Sequence, residues 1–144
     1  MRLTILTPQS VLVDEPVRHV RAEDASGAFG ILHGHADMLT ALDVSVLVYR
    51  DVRENEHFVA VRAGLLAVRG RNHVEVTTRE AVANDDLALL ERDVLERFRR
   101  TDTLEAKAHR GLARLEGTLL RRLTEYFRLE QTGSAHGRGS TWGR

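Results

Sequence analysis

The chain has 144 residues, enough for one domain of ordinary size or for a small domain with an appendage. Its 21 basic residues balance 21 acidic residues, so no overall charge draws it toward nucleic acid, and the lack of cysteine excludes disulfides, thiolate metal sites and cysteine nucleophiles. No apolar run approaches the roughly 18 residues that a membrane-spanning helix needs.

Residues 1–82 have the pattern of an all-β domain. Short runs rich in β-branched residues are separated by turn residues about every ten positions, which is typical of a sandwich or barrel. Val44 to Tyr49 and Val74 to Thr77 show alternating apolar positions, and Gly70 to Asn72 is a tight-turn signal. We therefore predict a β-sandwich or barrel over residues 1–82.

The pattern changes to helical spacing after residue 83. Asn84 can cap a helix, and apolar residues then recur at three- and four-residue spacing on one face: Leu87, Leu90, Val94 and Phe98. Asp102 and Glu105 resemble a capping box, so a second helix is expected to begin there. Its apolar stripe comprises Leu104, Ala108, Leu112, Leu115, Leu119, Leu123 and Tyr126. Because only about four residues separate the helices, we predict an antiparallel helical hairpin over residues 83–130.

The order of these elements predicts an α+β chain. Strands come first and helices last, which is typical of that class. Residues 131–144 are rich in glycine and serine and are predicted to be a flexible tail. The apolar stripes of the hairpin require it to lie against the β domain or against another protein.

The stretch from Gly27 to Leu42 contains the residues that first suggest chemistry. His33, His35 and Asp37 alternate, so on a strand they would share one face and could ligate a metal in a small metal-dependent enzyme. A cupin site also begins with His-x-His, but it requires a glutamate three or four residues later, where this chain has no acid. We therefore favour a structural loop and assign no metal ligands.

Other chemistry has less support. None of the serines lies in a G-x-S-x-G motif and no glycine-rich phosphate loop is present, so neither catalytic nor cofactor-binding residues are assigned. The second predicted helix carries a basic strip formed by Arg110, Arg114, Arg121 and Arg122. That strip is either a solvated face or a surface that docks on an acidic partner.

Three motifs resemble segments of the epsilon subunit of bacterial F-type ATP synthases. Gly27 to Leu42 (GAFGILHGHADMLTAL) is similar to the family's G-x-(F/L)-G-I-(L/Y)-P-G-H-A-P-L-L-T-x-L. Phe58 to Val68 is similar to F-x-x-(V/L)-x-G-G-(I/F)-x-(E/Q)-V, and Asn72 to Thr77 is similar to N-x-V-T-V-L. The motifs occur in the family's order and spacing, and with the helical region the resemblance covers residues 1 to about 130.

The resemblance implies a flattened two-sheet β-sandwich followed by a helical hairpin, in the central stalk of the enzyme. The sandwich would lie between the gamma subunit and the c-subunit ring at the cytoplasmic face of the bacterial membrane. The subunit would be non-catalytic and would couple ring rotation to ATP synthesis or hydrolysis. The helices would fold onto the sandwich or extend toward the alpha/beta catalytic head, where they inhibit hydrolysis. Two alternatives stay open, a small metal-dependent enzyme that uses His33, His35 and Asp37, and a generic adaptor with a helical arm.

The resemblance also implies partner-binding residues. Two segments are expected at one end of the sandwich, in contact with the gamma subunit and the c-ring: Ser26, Gly27, Ala28 and Phe29, and His35, Ala36, Asp37 and Met38. Three arginines of the basic strip would meet acidic surfaces of the catalytic head: Arg114, Arg121 and Arg122.

The chain departs from the family at several positions. His33 and Asp37 replace two prolines, and Ala28 stands where an acidic residue is frequent. Leu89 to Val94 differs from the (I/L)-D-x-x-R-A signature of ATP-binding members, so we expect neither ATP nor another cofactor to bind. These differences fit a divergent branch, such as the alternate ATPases that some bacteria encode beside the housekeeping enzyme.

Overall fold

The computed structural model describes the backbone of residues 1–133 and the side chains of residues 1–125 other than Glu116. The tail predicted over residues 131–144 therefore lies outside the described residues, except for residues 131–133, which are helical. Two compact units are distinguished, the first over Met1–Asp102 and the second from Thr103 onward.

The first unit contains nine strands among the described residues. They are β1 Arg2–Leu6, β2 Val11–Asp24, β3 Gly27–Leu32, β4 Met38–Leu42, β5 Ser45–Asp51, β6 Glu56–Val61, β7 Gly64–Arg69, β8 His73–Thr78 and β9 Ala81–Ala83. Their hydrogen-bonded order is β1-β8-β7-β4-β2-β5-β6-β9, with β3 beside β2 and an additional pairing of β1 with β2.

The 14-residue strand β2 belongs to both layers of the unit. Its first half pairs with β1, and its second half pairs with β3 on one edge and β5 on the other. The register against β5 shifts between Val17 and His19, and such a bulge bends a strand. One layer therefore holds β4, β7, β8 and β1, the other holds β3, β5, β6 and β9, and the predicted β-sandwich is confirmed.

The core fills the space between the layers because each strand turns every second side chain inward. Val20, Ile31, Leu47 and Val76, for example, are completely buried. Full burial of one such aliphatic side chain stabilises the fold by about 1.5–3 kcal/mol. The β half thus supplies its own apolar core.

The helical region begins two residues later than the sequence suggested. Helix α1 is Leu87–Leu89, a π-helical turn follows at Leu90–Val94, and helix α2 is Leu95–Gly133. The cap is Asp86, whose Oδ1 accepts a hydrogen bond from the Leu89 amide at 3.1 Å. Asn84, the expected cap, instead accepts from the Asp86 amide at 2.8 Å and so supports the capping residue.

The π-helical turn changes which apolar residues face the sandwich. Leu90, Leu95 and Phe98 are buried, and with Ala60 of β6 they form a second apolar cluster on the outer side of the β5–β6 layer. Val94, which regular α-helical spacing placed on that face, is only partly buried. The extra residue in the wider turn lets Leu95 replace it.

The predicted antiparallel hairpin over residues 83–130 is not found, since α2 continues through the expected junction without a break. Residues 99–103 contain neither glycine nor proline to interrupt it. The Thr101 hydroxyl donates to the Arg97 carbonyl at 3.0 Å, and the Asp102 carboxylate is held by Arg62. The second unit, as far as it is described, is the part of α2 that follows Asp102. None of the described helices is long and apolar enough to cross a membrane.

Candidate partner-binding surface

The first predicted segment is held by Asp24 at the turn between β2 and β3. Asp24 Oδ1 accepts from the Ser26 amide at 2.8 Å and from the Ser26 hydroxyl at 2.5 Å, and Oδ2 accepts from the Thr40 hydroxyl at 2.8 Å. The Ser26 hydroxyl bond, followed by the Thr40 bond, lowers the pKa of the Asp24 carboxyl. The turn is therefore a rigid feature tied to β4.

The residues after that turn have different exposures. Gly27 has φ +120°, a backbone conformation that a tight turn at this position requires and that other residues adopt only with strain. Ala28 is exposed on β3, while Phe29 is partly buried and packs against the core. Ser26, Gly27 and Ala28 thus remain accessible to a partner. The packing of Phe29 against the core holds the adjacent turn in place.

The second predicted segment lies in the loop between β3 and β4, which is attached to the β7–β8 turn. The Gly34 amide donates to the Arg71 carbonyl at 2.9 Å, and the Arg71 amide donates to Asp37 Oδ1 at 3.1 Å. His35 Nδ1 lies 2.7 Å from the Ala36 carbonyl oxygen. The Asp37 carboxylate thus ties this loop to the turn between β7 and β8.

The structure does not place the two segments at one end of the sandwich. The Ser26–Gly27 turn precedes β3 and the His33–Asp37 loop follows it, so the six-residue strand separates them by roughly 17 Å. The two segments therefore lie at opposite ends of β3, and their contacts with the gamma subunit and the c-ring stay a prediction. Two separated surfaces are available instead, one at each end of β3.

His33, His35 and Asp37 lie in the loop between β3 and β4 and not together on one strand. Asp37 is engaged with the Arg71 amide, and the part of the chain that the structure describes contains no group of three or more His, Asp, Glu or Cys able to hold a metal. A loop conformation explains this, because three alternating residues share a face only when they lie on a strand.

An exposed apolar row that sequence reasoning missed crosses the outer face of the β4–β7–β8–β1 layer. Cross-strand neighbours along it are Ala41, Leu65, Thr77, Leu6 and Val11. Leu65 is 49% exposed, Val11 57%, and Leu39 on the same face of β4 70%. Leu6, Pro8, Leu65 and Thr77 line a shallow hollow of about 460 Å³ there. The available signal was that Leu39 and Leu65 occupy outward positions of predicted strands.

The basic strip lies on the second unit. Arg110, Arg114, Arg121 and Arg122 are all exposed on α2. Three of them, Arg110, Arg114 and Arg121, surround a hollow together with Ala113 and Gly117. Small residues between arginines leave these cations accessible to an acidic surface.

A polar network lies at the C-terminal end of β5. The Tyr49 hydroxyl donates to Glu15 Oε1 at 2.7 Å, and the Tyr49 ring stacks on His57 with centroids 4.9 Å apart. His57 Nε2 lies 3.1 Å from Asp51 Oδ2. Burial, followed by the bond to Glu15, raises the pKa of Tyr49, while hydrogen bonds from His57 and Asn55 lower the pKa of Asp51. This network fixes the β5–β6 hairpin.

Comparison with known proteins decides the family. The sequence profile described as "ATP synthase, Delta/Epsilon chain, beta-sandwich domain" matches residues 1–84. The chain is 38% identical over 128 residues to ATP synthase epsilon chain 2 of Cereibacter sphaeroides, and the match covers 88% of each protein. The chain belongs to the ATP synthase delta/epsilon family.

Two further comparisons also place the chain among members of the ATP synthase delta/epsilon family. ATP synthase epsilon chain 2 of Paraburkholderia xenovorans is 40% identical over 129 residues, which cover 89% of this chain and 93% of that one. The fold resembles a chain of the Euglena gracilis mitochondrial ATP synthase structure with a TM-score of 0.55 at 23% identity, over 65% of this chain and 61% of the other. The resemblance seen in Gly27 to Leu42 is confirmed, and both bacterial relatives carry the name "epsilon chain 2", in agreement with a divergent branch.

Proposed function

We propose that the chain is the epsilon subunit in the central stalk of a bacterial F-type ATP synthase. In this role it is non-catalytic and links rotation of the c-subunit ring to ATP synthesis or hydrolysis by the alpha/beta head. It sits at the cytoplasmic face of the membrane and reaches the membrane through the complex. Family membership over nearly the whole length of its bacterial relatives supports this role.

The exposed apolar row is the observation that carries the partner assignment. Monomeric proteins rarely leave a row of large apolar side chains in water, and such rows mark protein interfaces. Leu39 adjoins Met38 in β4, so the row continues the predicted His35–Met38 segment. We assign both to the gamma subunit. The Ser26–Phe29 segment at the other end of β3 is assigned to the c-ring.

A binding experiment with the gamma subunit tests the assignment. Leu65→Glu places a charge in the row at a half-exposed position, so it should weaken capture by a gamma bait at least about tenfold while the sandwich stays folded. Val52→Glu is the matched control, because Val52 is 51% exposed in the turn between β5 and β6 of the other layer. Equal capture of both variants would refute the gamma surface. Failure of the unaltered chain to bind would favour the adaptor alternative.

The second unit supports a further part of the proposal, which is restraint of ATP hydrolysis. Arg114, Arg121 and Arg122 present positive charge on an exposed helix, and acidic surfaces of the catalytic head are the complementary partner. Contact with the head would oppose rotation in the hydrolysis direction.

A further inference from the structure

Four charged residues connect the start of α2 to the sandwich within the first unit. Arg62 lies between β6 and β7, Glu80 precedes β9, and Arg97 and Asp102 belong to α2. Arg62 Nη1 is 3.5 Å from Asp102 Oδ1, and Arg62 Nε is 3.8 Å from Glu80 Oε2. Arg97 Nη2 donates to Glu80 Oε1 at 2.9 Å. The two positive and two negative groups therefore form one linked cluster.

Arg62, the sandwich partner of Asp102 on α2, has a side chain that is only 11% exposed. Arg100, which pairs with Glu96 one turn along the same helix, is 76% exposed. Water and salt screen an exposed pair strongly and a sheltered pair much less. Solvent thus weakens the attraction of Arg62 for Asp102 less than it weakens the attraction of Arg100 for Glu96.

Asp102 is suited to a second, incompatible role. With Glu105 it forms the sequence pattern of a capping box, in which Asp102 would leave the helical conformation and accept from the Glu105 amide. In the structure Asp102 is instead inside α2 and its carboxylate is turned to Arg62. The helical conformation of Asp102 excludes capping, because an N-cap residue has non-helical backbone angles.

We propose that Arg62 is a conformational selector for the helix. While Arg62 holds Asp102, α2 runs uninterrupted through residues 101–104. When the pair is broken, Asp102 caps a separate helix that begins at Thr103. This contact lies within the chain itself, so the proposal goes beyond the function proposed for the chain in the ATP synthase.

Hydrogen exchange on the isolated full-length chain tests this selector. In an uninterrupted helix the amides of Thr103 and Leu104 donate to carbonyls four residues earlier, whereas at the start of a new helix they have no such partner. Arg62→Gln should therefore speed exchange of these two amides at least about tenfold. Arg100→Gln, which removes the exposed pair with Glu96, is the matched control and should leave them at the original rate.

Two substitutions of Asp102 distinguish capping by residue 102 from a general loosening of α2 after the ion pair is lost. Asp102→Asn loses the ion pair but can still cap, so it should speed exchange as Arg62→Gln does. Asp102→Ala loses both roles and favours helix, so exchange should stay slow. The buried β7 amide of Leu66 should be equally protected in all variants, which verifies that the sandwich is folded.

A double variant, in which residues 62 and 102 exchange their charges, completes the test. Arg62→Asp combined with Asp102→Arg should restore slow exchange at Thr103 and Leu104. Unchanged exchange in both Arg62→Gln and Asp102→Asn would overturn the selector. Equal acceleration in Asp102→Ala and Asp102→Asn would also overturn it, because capping would then play no part. None of these results depends on binding to the gamma subunit, so this proposal and the proposed function fail independently.

Discussion

Gly64 lies directly against the backbone of Thr77, so that a Cβ built on Gly64 would be 2.0 Å from the Thr77 carbonyl oxygen. Gly64 also has φ +150°, which side-chain-bearing residues rarely adopt. It begins β7 and pairs with Leu42 on one side and Thr78 on the other. The close approach of three strands at this point requires a glycine.

Gly64→Ala should lower the free energy of unfolding by at least about 2 kcal/mol, because it adds backbone strain and a clash with Thr77 that the sheet cannot relieve cheaply. Urea denaturation followed by circular dichroism measures the loss. Gly27→Ala is the control, since Gly27 has φ +120° but no heavy atom within 4 Å of the added Cβ. Equal losses in the two variants would show that the contact with Thr77 is unimportant.

Tyr49→Phe should lower the free energy of unfolding by about 1.5–3 kcal/mol at pH 8, since a buried hydroxyl donates to a charged carboxylate. The raised pKa of Tyr49 means that its contribution is fully present below the unfolded pKa of about 10 and is lost as the pH rises further toward the folded pKa. Urea denaturation at pH 8 and pH 11 should therefore show a steeper fall for the unaltered chain than for Tyr49→Phe. Parallel falls would contradict the raised pKa.

Leu95→Ala should destabilise the first unit by about 2–5 kcal/mol, because Leu95 is buried against the β5–β6 layer. Val94→Ala, one residue earlier in the π-helical turn, should cost less, since Val94 is only partly buried and its substitution removes fewer carbon atoms. Urea denaturation of both variants ranks them. The reverse ranking would mean that regular α-helical spacing continues through residues 90–94 in solution.

A chain that ends at Asp102 should raise ATP hydrolysis by the assembled synthase, because it lacks the basic second unit proposed to restrain the head. The truncation is placed after Asp102 and not after residue 83, because Leu90, Leu95 and Phe98 pack on the sandwich and their removal would expose its apolar surface. Steady-state phosphate release measures the effect.

Full-length variants refine that test. Glutamine substitution of Arg114, Arg121 and Arg122 should reproduce the rise. The same change at three exposed sandwich arginines should not: Arg53, Arg69 and Arg71. Unchanged hydrolysis in the truncated chain would remove restraint from the proposed function and leave the rotor role in place.

Local sequence patterns predicted the β half well and the helical half less well. Alternation through Val44 to Tyr49 and the turn at Gly70 to Asn72 depend on neighbouring residues alone, and both appear in the structure. The capping box at Asp102 is equally local, but the carboxylate is taken by Arg62, 40 positions earlier in the sequence. A distant partner of that kind cannot be read from spacing.

The sequence by itself determined the sandwich, the family and the identity of the loop from Gly27 to Leu42, because alternation, turn residues and motif order are properties of the chain. Only the tertiary structure decided that the Ser26 turn and the His35 loop lie at opposite ends of β3, and that Leu39 and Leu65 form an apolar row across two strands. Both facts depend on which strands pair and in which register. Strand pairing joins residues far apart in the chain, so long-range contacts settle what local pattern leaves open.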